Sequence, residues 1–143
     1  MTHTAAAVPT ALTFGWLGMV LAISFLEAPL KFRAPGVSVR VGLAIGRIVF
    51  RALNAVEIVL ALVIVAALAR SGHPPAAVAV AALASASVLA VQLSAVRPAL
   101  SRRTAQVLAG ETGVRSRAHH AYIALECAKV ISLLTLGILL LDT

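Results

Sequence analysis

The stretch GRIVFRALNAVEIVLALVIVAALA, residues 46–69, decides the fold. Its second half, Ile58 to Ala69, is an uncharged apolar run of about 12 residues, whereas a helix that crosses a bilayer needs about 20. A span here must therefore take in the charged first half. Arg47, Arg51, Asn54 and Glu57 follow one another at steps of four, three and three, which stacks them on one face of a helix. A face with that charge cannot look at lipid, so it must look at other helices. The stretch implies both a membrane helix and a bundle around it.

The composition extends that reading to the whole chain. Of 143 residues, 61% are hydrophobic and only 4% aromatic, and the mean hydropathy is +1.01. A soluble core cannot use so much apolar mass, and Ala, Leu, Val and Ile are the residues of lipid-facing and tightly packed membrane helices. We expect one all-α domain, residues 1–143, folded as an integral membrane four-helix bundle. The formal net charge of +7 does not point to nucleic acid, because the Lys and Arg flank apolar runs instead of forming a solvated face with groove-reading partners. Cys127 is the single cysteine, which excludes an intramolecular disulfide and a dithiol redox pair. Met1 to Thr10 carries no Lys or Arg, unlike the start of a cleavable signal, so the first span is expected to be retained.

Three more spans follow by the same logic. The first, 11–32, opens after Pro9-Thr10 with Thr10 as a predicted N-cap, runs apolar to Leu26, then meets Glu27, Pro29, Lys31 and Arg33 and ends near Phe32. The second occupies 46–69. The third, 76–96, lies between Pro74-Pro75 and Arg97-Pro98, with Gln92 as its clearly polar side chain. Ala82, Ala86, Ala90 and Ser94 recur every fourth residue along it, a small-residue stripe suited to close helix contact, either within the chain or with another subunit. The fourth, 118–141, has Ser116 as a predicted cap and a polar stripe of His119, Tyr122, Glu126 and Lys129 at steps of three, four and three. Between spans three and four a short surface helix is expected, stopped at Gly110.

Basic residues set the direction. Lys31, Arg33, Arg40, Arg47 and Arg51 gather around the first loop and Arg97, Arg102, Arg103, Arg115 and Arg117 around the third, against Arg70 alone on the opposite side. The positive-inside rule then puts both of these loops in the cytoplasm and both termini on the non-cytoplasmic side of the cell membrane. Topology accounts for most of this charge. It does not account for the charge inside the spans.

Glu27, Glu57 and Glu126 fall within predicted spans, and an unpaired carboxylate there costs at least about 2.5–3.5 kcal/mol. At 1.5 Å per residue, Glu57 lies about 15 Å past Arg47 and Lys129 about 15 Å past His119, so the two reach similar depth and are expected to pair. Glu126 lies about 10 Å deep and Glu27 slightly shallower. The expected result is a polar pocket open to the cytoplasm, formed by Glu27, Arg47, Arg51, Asn54, Glu57, Gln92, His119, His120, Tyr122, Glu126 and Lys129, with Arg97 closing one side. The alternative is that these groups only staple the helices and snorkel. A metal held by His119, Glu126, Glu57 and Glu27 is conceivable in such a bundle, but the Glu-x-x-His spacing is missing and cations compete for the carboxylates, so no metal is assigned. Bis-histidine haem fails because His3 and His73 lie across the membrane from His119 and His120. That pair reads more simply as interfacial, Trp16 as packing, and Cys127 as a small buried side chain.

Two resemblances follow from quoted residues. The layout is similar to the TMEM205-like (DUF4149) family of four-helix membrane proteins. The shared features are a first span ending in Phe25-Leu26-Glu27-Ala28-Pro29-Leu30-Lys31-Phe32, a basic loop, Gly46-Arg47-Ile48-Val49-Phe50 entering span two, and His119-His120 on span four. This implies the fold more than an activity. Locally, Arg47 to Glu57 resembles the second-helix signature of the membrane glutathione-transferase and eicosanoid (MAPEG) family, which implies glutathione binding by Arg47, Asn54 and Glu57. That family's third-helix Arg-His-Tyr pattern is absent around Arg97, and Arg51 is one place out. The expected function is binding of a small ligand, ion or partner in the cytoplasmic-side pocket. The alternatives are a membrane enzyme acting on a lipophilic substrate, glutathione-dependent or metal-dependent with Glu57 or Glu126 as acid or base, and a structural subunit docking through span three. No cofactor is named by the sequence.

Overall fold

The computed structural model describes residues 3–110 and 117–143, with side chains from residue 6 onward. The predicted cap Ser116 and Arg115 lie outside the described residues. Among those described there is no strand, and four helices are each long and apolar enough to cross a membrane: α1 (Ala6–Arg33), α2 (Val39–Arg70), α3 (Ala76–Leu108) and α4 (Arg117–Leu141). At 25 to 33 residues each, all four exceed the ~20 that span a hydrocarbon core.

The helices outrun the apolar segments that announce them. Helical backbone already runs from His3, ahead of the Ala6–Arg33 span, so Thr10 is not a cap; it sits inside the helix with its hydroxyl donating to the Ala6 carbonyl at 2.7 Å. Helix α2 begins at Val39, where Ser38 Oγ accepts from the Val41 N–H at 3.3 Å, which winds residues expected to be loop into an extra turn and more. Among the described residues there is no separate surface helix after span three. Instead α3 continues through Arg97 and Pro98 to Leu108, and Gly110, at φ +92°, ends it in the left-handed region glycine tolerates best.

Two prolines shape the bundle. α1 widens to π-helical geometry over Leu21–Glu27, just before Ala28-Pro29, and α3 does so over Gln92–Val96, just before Arg97-Pro98. In each case the residue preceding the proline donates its N–H five residues back, Ala28 to Ile23 and Arg97 to Gln92. A proline ring inside a regular helix clashes with the carbonyl one turn earlier, and a widened turn relieves that clash without breaking the helix. The same interval separates Pro29 from Glu57 as Pro98 from Glu126, and both glutamates close an Ala-x-x-Ala-x-Glu run, at Ala52–Glu57 and Ala121–Glu126. The two helical hairpins are thus built to one plan.

Packing runs round the ring, α1 on α2 and α4, and α3 on α2 and α4. The apolar core joins Trp16, Leu17, Val20, Ile64, Leu68, Val78, Leu89, Leu133, Leu136 and Leu140. Outward faces carry Ile48, Leu62, Val80, Leu83, Ile131 and Ile138, all exposed, while Thr13, Glu57, Ser85, Gln92, Glu126 and Lys129 are buried. This inverts the pattern of a water-soluble bundle, which hides its aliphatic residues and shows its charges. The small-residue stripe of α3 is only half used: Ala82 is buried and Ala86 partly so, but Ala90 and Ser94 face outward. The buried line runs instead through Val78, Ala81, Ala82, Ser85, Leu89, Gln92 and Val96, so the close approach is spent inside the chain. Cys127, expected to be buried, is exposed on α4.

Candidate functional site

At mid-bundle one ammonium ties all four helices together. Lys129 Nζ of α4 donates to Glu57 Oε1 of α2 at 2.6 Å and to Glu126 Oε1, one turn back, at 2.9 Å. Trp16 Nε1 of α1 donates to the same Glu57 oxygen at 3.0 Å, and Gln92 Nε2 of α3 to the same Glu126 oxygen at 2.7 Å. All five residues are at most 2% exposed. Behind them, Ser85 Oγ donates to Ser132 Oγ at 3.0 Å, and Ser132 Oγ to the Lys129 carbonyl at 2.9 Å. The pair expected from depth, Glu57 with Lys129, is present. Trp16 does more than pack, and nothing in its local sequence pointed to a partner on another helix.

On the basic side of this node lies a cavity of about 920 Å³. Phe25, Phe32, Phe50, Ile58, Leu93 and Leu100 form its apolar wall, with the π-helical stretches of α1 and α3 contributing Ser24, Phe25 and Leu93. Gly42 matters here because a side chain at that position would run into the Phe32 ring. Among the described residues four cations reach the cavity, Lys31, Arg47, Arg51 and Arg97, against one acid, Glu126. Lys31 is paired with Glu27 at 3.3 Å, while Arg47 and Arg51 have no carboxylate partner among the described residues. Phe50 collects the cationic groups: Lys31 Nζ lies 5.5 Å and Arg97 Cζ 5.4 Å from its ring centre, and Tyr122 meets it edge-on at 5.7 Å.

The residues expected to share one pocket separate into two groups. Arg47, Arg51, Asn54, His119, Tyr122 and Glu126 line the cavity. Glu57, Gln92 and Lys129 do not; they are sealed in the core behind Glu126. Glu27 is held by Lys31 beside the cavity, and His120 is exposed outside it, its ring 6.1 Å from that of His119. The glutathione-like face is split as well, with Arg47 and Asn54 at the cavity and Glu57 committed to Trp16 and Lys129. The four groups considered for a metal do not converge: no three His, Cys, Asp or Glu side chains come together among the described residues. The Lys129 ammonium already fills the position between the two carboxylates that a metal cation would take.

No protein-family model, no curated protein and no solved structure matches the chain. The functional reading therefore rests on the cavity and the charges around it.

Proposed function

We propose that the chain is a multi-pass protein of the cell membrane, with the TMEM205-like layout and both termini on the non-cytoplasmic side, whose cavity binds an acidic amphiphile. The observation that carries this is the composition of the cavity wall. Aromatic and aliphatic side chains line most of it, and Arg47 and Arg51 supply positive charge with no carboxylate partner among the described residues. An acyl or isoprenoid chain suits the first surface, and a carboxylate or phosphate suits the second, since guanidinium groups bind both in a fork. The long, lipid-like outer faces of the helices and the ten-to-one distribution of basic residues support the membrane placement.

The placement is checked by labelling. In a Cys127→Ala background, a cysteine replacing Thr143 is expected to react with a membrane-impermeant maleimide from outside intact cells, and one replacing Arg40 only after permeabilisation. The reverse pattern would overturn the orientation. The binding reading is checked by equilibrium binding of radiolabelled stearate to detergent-purified protein. With a charge-assisted contact worth about 1.5–3 kcal/mol and each 1.4 kcal/mol worth about tenfold, the double variant Arg47→Gln, Arg51→Gln should bind about a hundredfold more weakly. Unchanged affinity would remove the two arginines from the site.

A further inference from the structure

Among the described residues Glu126 is the one acid that lines the cavity, and only half of its carboxylate is in use. Oε1 accepts from both Gln92 and Lys129, whereas Oε2 is buried with no hydrogen-bond partner. The residue is 2% exposed, so bulk water does not serve that oxygen. Two further buried polar atoms lack a partner: Oε1 of Gln92, on the side chain bonded to Glu126, and the Ser24 hydroxyl, which also lines the cavity. For the carboxylate and amide oxygens the missing partner is a donor. Buried polar atoms are rarely left so, and an orphan of this kind at a cavity wall marks where a ligand supplies the missing group.

We infer that the amphiphile carries, besides its acid group, a hydroxyl part-way along its chain that donates to Oε2 of Glu126. The inference rests on the cavity binding an acidic amphiphile and adds the second recognition point. Its position follows from the helices. Lys129 bonds both glutamates, which fixes Glu57 and Glu126 at one level, and Glu57 lies six residues beyond Arg51, about 9 Å along α2. An acid group held at Arg51 therefore puts the middle of a long fatty chain, not its first carbons, beside Glu126. The level of Arg47 is about 6 Å further out, which lengthens that span. The specificity is of the strong kind, because a ligand lacking the hydroxyl leaves a buried acceptor unpaired.

Three probes test this against wild-type protein in detergent: stearate, 2-hydroxystearate and 10-hydroxystearate. The expected result is about tenfold tighter binding of 10-hydroxystearate than of the other two. The Glu126→Leu variant removes both carboxylate oxygens and offers the ligand hydroxyl neither an acceptor nor a donor, so it should erase the preference. Equal binding of all three probes to wild type would overturn the inference and leave the cavity reading standing, as would a preference that survives in Glu126→Leu. Failure of every probe to bind would instead remove the acidic-amphiphile reading itself. The wild-type comparison decides the outcome even where the variant does not fold.

Discussion

Replacing Lys129 with methionine is expected to destabilise the folded bundle by about 3–5 kcal/mol, the range found when one partner of a buried ion pair is removed. Methionine fills much the same volume, so the loss is electrostatic. Two carboxylates that both touch one ammonium, at 2.6 and 2.9 Å, would be left facing each other with Trp16 and Gln92 as their remaining donors. Salt should not rescue the variant, because the group is 0% exposed and out of reach of screening ions. The triple variant Lys129→Met, Glu57→Gln, Glu126→Gln removes all three charges and should recover most of the loss, since neutral replacement of a whole buried cluster is far cheaper than breaking it. Unfolding in mixed micelles measures both. If the single variant is as stable as wild type, Lys129 does not hold the helices together.

That cluster shows how much the sequence made legible. Helix rise is nearly constant, so counting residues from the basic ends was enough to place Glu57 beside Lys129 from helices far apart in the chain. Hydropathy likewise located all four helices, because each contains an apolar run that little else could explain. It misjudged their lengths for a physical reason: residues 39–45 and 97–108 are mixed in polarity, and a helix that has already nucleated continues through such residues at little cost. Hydropathy records where lipid is preferred, not where hydrogen bonding stops.

The pocket was less legible because periodicity gives direction but not enclosure. Arg47 and Glu57 do lie on one face of α2, as their spacing requires, yet the cavity wall takes in Arg47 and the core seals Glu57. What separates them is how far along the bundle the neighbouring helices close, and the widened turns before Pro29 and Pro98 lie on the cavity side, where Ser24, Phe25 and Leu93 line it. The repeated Ala-x-x-Ala-x-Glu run, at the same interval after each proline, was the available signal. It marks Glu57 and Glu126 as equivalent positions on α2 and α4, and so predicts that they meet at one level across the bundle. Glu57 is satisfied by Trp16 and Lys129, while Glu126 is left with a free oxygen at the cavity wall. The two equivalent carboxylates therefore differ in use: both are tied to Lys129, and Glu126 alone keeps an unpartnered buried oxygen, the one assigned above by proposal to a ligand.

The second large effect is expected at Trp16, and it discriminates between packing and hydrogen bonding. Trp16 is 1% exposed in the apolar core, so Trp16→Ala should cost about 3–5 kcal/mol through the cavity it leaves. Trp16→Phe keeps most of the ring and removes the N–H. Neutral hydrogen bonds between membrane helices average only about 0.6 kcal/mol by double-mutant cycle, whereas bonds to charged groups are worth about 1.5–3 kcal/mol. The indole donates to a carboxylate oxygen that also receives the Lys129 ammonium, which places it in the second class. A loss near 2 kcal/mol for Trp16→Phe, shrinking when Glu57→Gln is already present, would identify the indole as part of the charged node. A loss near 0.6 kcal/mol, independent of Glu57, would mean that Trp16 only packs. Because Trp16 is the single tryptophan, its fluorescence offers an independent reading: Lys129→Met should shift the wild-type emission if the indole and the ammonium share Glu57, and leave it unchanged if they do not.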